Sequence, residues 1–285
     1  MNGIAFINGE FIEEKNATLH ISDLSVQRGY GIFDAFRTIN NVPLFLDDHL
    51  SRFFNSAEGL NLNPGLSREE LKSIVSELIL KNNIPGSIFR ITLTGGYSTD
   101  GYLPSIPNLI VTQHPLKPRS AQWVKHGMRV ITHEHVRELP LIKSINYLTG
   151  VNLQGKLVSV GADDVLYYHN NEVSEFPRSN FFIVTRKDEI ITPASNILHG
   201  ITRKKTLELA RKNFAVYERK ITLTEIAEAK EAFTTSTTKQ ILPVVEIDGN
   251  EVGNGLPGKI TQLLDEHLQQ LCNNHTNMLL DSQHH

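Results

Sequence analysis

One lysine stands in a mostly apolar run that would alter its reactivity. The run covers residues 140–147 (PLIKSINY), where a hydroxyl, an amide and a phenol follow Lys143. Burial disfavours the charged form of a lysine and lowers its pKa. A neutral amine adds to carbonyl groups, so the run indicates a lysine that forms a Schiff base. Taken alone, the same residues also fit a surface lysine at the end of a strand.

A second candidate is the carboxylate of Glu175, in the segment 173–180 (VSEFPRSN). Its hydrophobic neighbours would leave it buried and in need of a cation. The polar side chains of Ser179 and Asn180 follow within the same segment. As a single residue, Glu175 also fits a solvated glutamate on an edge strand.

Two further segments are suited to an anion. Residues 200–203 (GITR) would place the backbone N–H of Ile201 and the hydroxyl of Thr202 at a helix start, where free donors and the helix dipole favour negative charge. Arg52, three residues after His49 on a predicted helix, could add a bidentate cation. Three hydroxyls at the end of a predicted strand offer more donors: Ser236, Thr237 and Thr238. Singly, Thr202 also fits a helix cap and Arg52 a solvated helix residue.

A lysine, a carboxylate and an anion cup are the parts that a pyridoxal phosphate site needs. The lysine would carry the cofactor and the cup would hold its phosphate. The carboxylate would keep the pyridine nitrogen protonated, so that the ring can withdraw electrons.

In this combination and order, the chain resembles the class IV, or fold-type IV, pyridoxal phosphate-dependent aminotransferases. The resemblance runs from Ser22 to Val245 and is carried by four segments: 49–53 (HLSRF), 143–146 (KSIN), 175–180 (EFPRSN) and 200–203 (GITR). It implies cofactor contacts, with Lys143 as the catalytic residue, from these side chains and backbone groups: Arg52, Lys143, Glu175, Ser179, Asn180, Ile201, Thr202, Ser236 and Thr237.

The resemblance also implies the fold. It predicts a mixed α/β chain with a small α+β domain and a larger α/β pseudo-barrel domain that binds the cofactor. We expect the smaller domain at residues 1–115, a proline-containing linker at 116–125 and the larger domain at 126–285, with the cofactor in the cleft facing the larger domain. The family further implies a homodimer in which loops of one subunit help to close the site of the other.

The segment after Glu175 departs from the usual family pattern. Most members have a glycine and a small residue there, whereas this chain has Phe176 and Pro177, followed by Arg178. With Arg28 in an upstream loop, this pattern most resembles a less typical group of D-amino acid transaminases. The arginine–x–histidine carboxylate trap of better-known D-amino acid enzymes is not evident around residues 95–97, so Arg28 and Arg178 would bind the carboxylate instead. Further substrate contacts are expected from four residues: Tyr30, Arg90, Tyr147 and Thr238.

The expected activity is transfer of an amino group between an amino acid, with D-amino acids favoured, and a 2-oxo acid such as 2-oxoglutarate. Three alternatives stay open. Branched-chain L-amino acid transamination uses the same parts, and Arg90 lies in a segment similar to that enzyme's. Aminodeoxychorismate lyase shares the lysine and the glutamate. A non-enzymatic binding protein is the third, and the presence of Lys143 and Glu175 together disfavours it.

Composition excludes several other classes of protein. A net charge of −3 over 285 residues provides no basic field for nucleic acid. One cysteine, Cys272, allows neither an intramolecular disulfide nor a cysteine metal cage, so we expect a reducing compartment and no metal site. The N-terminus lacks a secretory pattern and no apolar run is long enough for a membrane span. We therefore expect a soluble, cytoplasmic enzyme.

Local patterns predict the elements that position these residues. Turns rich in Asn, Asp and Gly are expected at 8–9, 40–41, 169–172 and 248–250. One helix should be capped by Asp47 or Asp48, and another should begin after Ser67, which forms a capping box with Glu70. Two more helices are expected at about 147–160 and 257–271, followed by a frayed tail to residue 285.

Overall fold

The computed structural model describes residues 3–282, so the outer ends of the two predicted domains, 1–2 and 283–285, lie outside the described residues. The chain separates into two compact units. The first unit comprises Met1–Lys117, Ile142–Asn146 and Asn273–His285. The second comprises Pro118–Leu141 and Tyr147–Cys272.

The first unit is built on a six-stranded antiparallel sheet in the order β2-β1-β6-β5-β3-β4. Its strands are β1 (Ile4–Ile7), β2 (Glu10–Glu13), β3 (Gly31–Ile39), β4 (Val42–Pro43), β5 (Ser87–Thr94) and β6 (Leu109–Pro115). Its helices are a 3-10 turn (Glu14–Asn16), α1 (Leu24–Arg28), α2 (Leu46–Gly59) and α3 (Arg68–Asn82). Helix α2 and the sheet share one apolar core, in which Phe36, Leu50, Phe53 and Phe89 are fully buried.

The second unit is built on a ten-stranded, curled sheet in the order β13-β12-β11-β14-β15-β7-β8-β9, with β10 paired to β11 and β16 to β15. Its strands are β7 (Met128–Glu134), β8 (Asp164–His169), β9 (Glu172–Val173), β10 (Glu175–Phe176), β11 (Ser179–Val184), β12 (Ile190–Thr192), β13 (Val216–Glu218), β14 (Glu231–Ser236), β15 (Gln240–Ile247) and β16 (Asn250–Glu251). Its helices are α4 (Ala121–His126), α5 (Leu148–Asn152), α6 (Gln154–Val160), α7 (Ile201–Ala210) and α8 (Leu223–Glu228). The last helix is α9 (Lys259–Ser282). The boundary between the two units falls within this helix, after Cys272.

The predicted turns are confirmed. Left-handed backbone is adopted by Asn8 and Gly9, by Asn40 and Asn41, by Asn170 and Asn171, and by Asp248 and Gly249. A positive φ at both central residues matches the twist of antiparallel strands, and Asn, Asp and Gly tolerate it best. The capping box of Ser67 and Glu70 is also confirmed at the start of α3.

Other boundaries were predicted wrongly. The N-cap position of α2 is occupied by Phe45, which has left-handed backbone. Asp47 and Asp48 instead lie in the first turn of the helix, where negative charges interact favourably with the helix dipole. The helix expected at 147–160 is two helices that meet at Leu153. Helix α9 continues to Ser282, well beyond the predicted residue 271, and only 283–285 of the expected frayed tail lie outside the described residues.

The division of the chain differs from the predicted domains at three places. The expected linker at 116–125 contains the start of α4. The segment Ile142–Asn146, expected in the larger domain, belongs to the first unit. The reason is backbone pairing: the N–H of Phe33 donates to the carbonyl of Lys143 at 2.9 Å, and the N–H of Ile145 donates to that of Gly31 at 3.0 Å. The stretch Asn273–His285 likewise belongs to the first unit.

Candidate active site

The backbone of Lys143, in the first unit, is held by two hydrogen bonds. Besides the bond from Phe33 to its carbonyl, its own N–H donates to Ser56 Oγ at 3.2 Å. The side chain is half-buried, and Nζ lies 4.7 Å from the centroid of the Phe33 ring. An ammonium at that distance is attracted by the face of an aromatic ring. The lysine singled out from sequence is therefore held next to a π face by the same strand that pairs with its backbone.

Asp34 of β3 lies under the start of α2 and is fully buried. Its Oδ2 and Oδ1 accept from Nε and Nη2 of Arg52, both at 2.8 Å, and His49 Nδ1 lies 2.7 Å from Oδ1. Burial alone would raise the pKa of Asp34, but Arg52 and His49 hold it well below its usual value. Burial lowers the pKa of His49 and outweighs the opposing effect of Asp34. A neutral His49 therefore donates from Nδ1 to an ionised Asp34.

This arrangement gives Arg52 a defined orientation. Two parallel hydrogen bonds to one carboxylate hold the guanidinium plane, and they use one edge of a group with five N–H donors. Asp34 was not among the residues predicted from sequence. The signal that could have found it is a single acidic residue within the otherwise apolar segment 31–36 (GIFDAF).

Three other predicted residues of the first unit occupy different surroundings. Tyr30 donates its hydroxyl to the carbonyl of Leu60 at 2.5 Å and keeps lone pairs that can still accept. Arg28 is exposed at the end of α1, where Nη1 donates to the carbonyl of Gln27 at 2.9 Å. The guanidinium carbon of Arg90 lies 3.8 Å from the centroid of Phe33, the ring that Lys143 also approaches.

In the second unit, Glu175 is buried and each of its carboxylate oxygens has a hydrogen-bond partner. Its Oε1 lies 2.8 Å from Nη1 of Arg137. Its Oε2 accepts from the backbone N–H of Leu198 at 3.0 Å and from Asn180 Nδ2 at 3.2 Å. The cation that the sequence required is thus Arg137, which sequence reasoning missed. The only sequence signal for it was a basic residue in the polar stretch 132–138 (THEHVRE).

Asn180 joins Glu175 to the start of α7. Its Nδ2 also donates to the carbonyl of Leu198 at 2.8 Å. A Cβ at Gly200 would come within 2.2 Å of Asn180 Oδ1, so a larger residue there would displace the Asn180 side chain from its hydrogen bonds. Gly200 is the N-terminal cap of α7, and no described side chain caps the first N–H groups. The segments 175–180 and 200–203, proposed separately from sequence, therefore meet at a helix start that favours an anion.

Hydroxyl groups of β11 and β14 surround the same place. Thr235 pairs in register with Asn180, so both side chains lie on one face of the sheet. Its Oγ1 is buried and has no hydrogen-bond partner among the described residues. Ser236 Oγ accepts from the N–H of Lys239 at 3.2 Å, while Thr237 is half-buried and Thr238 exposed. Ser179 alternates to the opposite face and has an equally orphaned Oγ.

Tyr147 and Arg178 complete the predicted set in this unit. Tyr147 occupies the cap position of α5, and Arg178 is exposed in the two-residue turn between β10 and β11. A further tyrosine, Tyr167, was not predicted; burial, and then the charge of Asp164, raise its pKa to about 12. Its phenol therefore keeps its proton at neutral pH.

Within residues 3–282, no helix combines the length and apolar character needed to cross a membrane. In the same part of the chain, no group of three or more His, Cys, Asp or Glu side chains is arranged to hold a metal ion.

Comparison with known proteins shows the family. Residues 31–247 match the family described as Amino-transferase class IV. A D-alanine aminotransferase of Listeria monocytogenes is 32% identical over 280 residues, covering 93% of this chain and 96% of that protein. A putative branched-chain-amino-acid aminotransferase of Methanocaldococcus jannaschii is 31% identical over 279 residues, covering 93% and 95%.

A solved structure shows the same fold. The branched-chain amino acid aminotransferase of Escherichia coli superposes with a TM-score of 0.89 at 23% identity, and the match covers 95% of both chains.

The chain belongs to the class IV aminotransferases, and it is a pyridoxal phosphate-dependent transaminase. The family, the mixed α/β fold and the reaction type predicted from sequence are therefore confirmed. The residues present fit the cofactor of the family. The uncapped helix start at Gly200 and the orphaned Thr235 hydroxyl are groups that a bound phosphate would satisfy, and the buried carboxylate of Glu175 would suit a protonated pyridine nitrogen.

Proposed function

We propose that this transaminase acts on amino acids with D-amino acids as favoured donors and 2-oxoglutarate as an acceptor. The observation that carries the cofactor assignment is Glu175, a buried carboxylate ion-paired with Arg137. Preference for D-amino acids is supported by relatives named D-alanine aminotransferase at 31–32% identity. It is further supported by Arg178, which is exposed at the turn directly after Glu175 and Phe176.

Each residue of the proposed site has a chemical task. When bound, pyridoxal phosphate supplies a carbonyl and an electron-withdrawing ring. Lys143 Nζ would hold the cofactor covalently and, as a neutral amine, would move a proton at the substrate Cα. Glu175, oriented by Asn180, would keep the ring nitrogen protonated. A phosphate is proposed to bind these groups: Arg52, Ile201, Thr202, Ser236 and Thr237.

The substrate is recognised by a second set of side chains. Arg28 and Arg178 are proposed to bind the α-carboxylate, because a guanidinium pairs with a carboxylate through two parallel hydrogen bonds. Tyr30, Tyr147 and Thr238 are proposed as further contacts. Ser179 stays a proposed cofactor contact on the basis of the sequence motif, although its buried hydroxyl lies on the sheet face opposite Asn180 and Thr235.

A substrate panel tests the preference. The protein loaded with pyridoxal phosphate is supplied with 2-oxoglutarate and, in turn, with D-alanine, D-glutamate, L-leucine and L-alanine, and keto acid release is measured. We expect the D-amino acids to give the higher kcat/KM. Turnover confined to L-amino acids would contradict the proposal. Pyruvate from aminodeoxychorismate without an amino acceptor would identify a lyase.

Branched-chain L-amino acid transamination is the second candidate. It is supported by the Methanocaldococcus jannaschii relative and by Arg90, which is exposed and stacked on Phe33. A basic group beside an aromatic ring suits a substrate pocket that accepts both an apolar and an acidic side chain. Faster reaction of L-leucine than of D-alanine in the same panel would favour this candidate.

Two more measurements test the assignment. Borohydride reduction of the loaded protein, followed by peptide mapping, should attach the label at Lys143, and a label on Lys156 or Lys204 would remove that role. Sedimentation of the full chain tests the homodimer, which remains a prediction, as does the cytoplasmic location.

A further inference from the structure

Arg90 and Lys143 are held on the same aromatic ring. Arg90 lies on β5 directly opposite Ala35 of β3, and Phe33 is the next residue on that face of β3. The small side chain of Ala35 leaves room for Arg90 to lean diagonally across to Phe33. Its guanidinium carbon lies 3.8 Å from the ring centroid, and Nε donates to Thr92 Oγ1 at 3.3 Å.

The two cations are therefore close. Lys143 Nζ lies 4.7 Å from the centroid from which the Arg90 guanidinium carbon is 3.8 Å, so the two atoms are at most the sum, 8.5 Å, apart. The backbones that carry the ring and the lysine are tied together, because the Phe33 N–H donates to the Lys143 carbonyl at 2.9 Å. Ring, lysine backbone and arginine thus belong to one connected arrangement.

The neighbouring groups of β3 and α2 that can carry charge are Asp34, Arg52 and His49. Asp34 and Arg52 form a buried bidentate pair of opposite charges. Burial lowers the pKa of His49, which lies against that pair. Arg90 adds a positive charge on the ring next to Lys143.

We propose that Arg90, stacked on Phe33, is a positioning residue that keeps a larger fraction of the Lys143 side chain as the neutral amine at neutral pH. A positive neighbour disfavours protonation of an amine. At 8.5 Å, one charge changes the pKa of another group by about 0.4 to 1.4 for effective dielectric constants between about 80 and 20. The neutral amine is the form that adds to a carbonyl. This role differs from binding a substrate carboxylate and does not depend on which amino acid is used.

The test measures Lys143 itself, without substrate or cofactor. The full-length chain, prepared without pyridoxal phosphate, is acetylated with acetic anhydride across a pH series, and the extent at Lys143 is read by mass spectrometry. We expect Arg90→Met to raise the pKa of Lys143 by about 0.4 or more and to lower its labelling at pH 7.5 by about 2.5-fold or more. Arg90→Lys, which retains the charge, should restore most of the wild-type value.

Arg68→Met is the matched control. Arg68 also stacks on a phenylalanine of this unit, with its guanidinium carbon 5.5 Å from the centroid of Phe54, but it does not share the ring beside Lys143. Its removal should leave the Lys143 pKa unchanged. An unchanged Lys143 pKa in Arg90→Met, or an equal change in Arg68→Met, would overturn the proposal. The labelling uses no amino acid, so its outcome does not depend on which substrates the panel shows to react.

Discussion

Each unit of the molecule contains a buried carboxylate bonded to an arginine, and the two pairs are built differently. In the first unit, both oxygens of Asp34 accept from the same guanidinium, that of Arg52, and Oδ1 also accepts from His49 Nδ1 and the N–H of Ala35. In the second, only Oε1 of Glu175 faces Arg137, and Oε2 is bonded to Asn180 and the N–H of Leu198. The arginine side chains are almost equally exposed, at 11% and 10%. Burial therefore does not distinguish the pairs; the division of hydrogen bonds does.

The difference indicates whether the carboxylate orients the arginine or the arginine helps to orient the carboxylate. A carboxylate whose two oxygens bind one arginine sets the plane of that arginine. Glu175 meets Arg137 at Oε1, while Oε2 is fixed by Asn180 and the backbone of Leu198, so here the carboxylate is the group that is set in place. We infer that Asp34 orients Arg52, whereas Arg137 helps to orient Glu175. Only Glu175 is proposed to face the cofactor.

The largest expected effect is on folding. Asp34→Asn leaves Arg52 buried without its counter-charge, which should reduce the free energy of unfolding by about 3–5 kcal/mol. The protein should also need more pyridoxal phosphate for saturation, while kcat at saturating cofactor changes little. Urea unfolding and a cofactor titration measure the two quantities. Asp47→Asn, which removes an exposed pair with Lys72, is the control and should change stability by less than about 1 kcal/mol. A large loss of kcat at saturating cofactor would contradict this expectation, because Asp34 would then have a role in the reaction like the one proposed for Glu175.

The matched change in the second unit should lower kcat and leave cofactor binding in place. Glu175→Gln keeps the shape of the side chain but removes its charge. Cofactor should still bind, whereas kcat should fall on the order of 10²-fold, the usual result of losing a positioned electrostatic group. Single-turnover rates and the absorbance of bound cofactor check this. Unchanged turnover would end the assignment of Glu175 to the ring nitrogen.

Arg178 extends the comparison to an arginine that is exposed. If it binds the α-carboxylate, Arg178→Lys should weaken D-alanine and D-glutamate by similar factors, roughly tenfold or more, since a bidentate contact is lost. Arg186→Lys, another exposed arginine of the same unit, should be neutral. Steady-state kinetics on both substrates decide between roles. A loss restricted to D-glutamate would make Arg178 a side-chain contact, and no loss would place it outside the site.

The smallest effect is in the pH dependence of stability. The folded-state pKa of Asp34 lies below its unfolded value of about 3.9, so its contribution is complete above that pH and is lost as the pH falls. Between pH 4 and 3 the wild-type unfolding free energy should therefore decline more steeply than that of Asp34→Asn, by at most about 1.4 kcal/mol per pH unit. Urea unfolding at a series of acid pH values measures it. Parallel curves would show that Asp34 does not titrate abnormally.

Residues close together in sequence determined much of this molecule. Turn types at Asn8, Asn40, Asn170 and Asp248 follow from the tolerance of Asn, Asp and Gly for left-handed backbone, and the capping box at Ser67 is complete within four residues. The order of four short motifs was enough to indicate the family. Lys143 and Glu175 were selected as candidates in the same way, because a charged group among apolar neighbours is visible without a structure.

Tertiary structure alone decided which groups these residues meet. Arg137 is paired with a carboxylate 38 positions further along, and Asp34 with an arginine 18 positions further along, distances at which sequence spacing predicts no contact. The placement of Lys143 in the first unit depends on strand pairing with Phe33, and the need for glycine at position 200 depends on the Asn180 side chain. The physical reason is that local backbone preferences act over a few residues, whereas burial, ion pairing and steric fit are set by whichever segments the fold brings together.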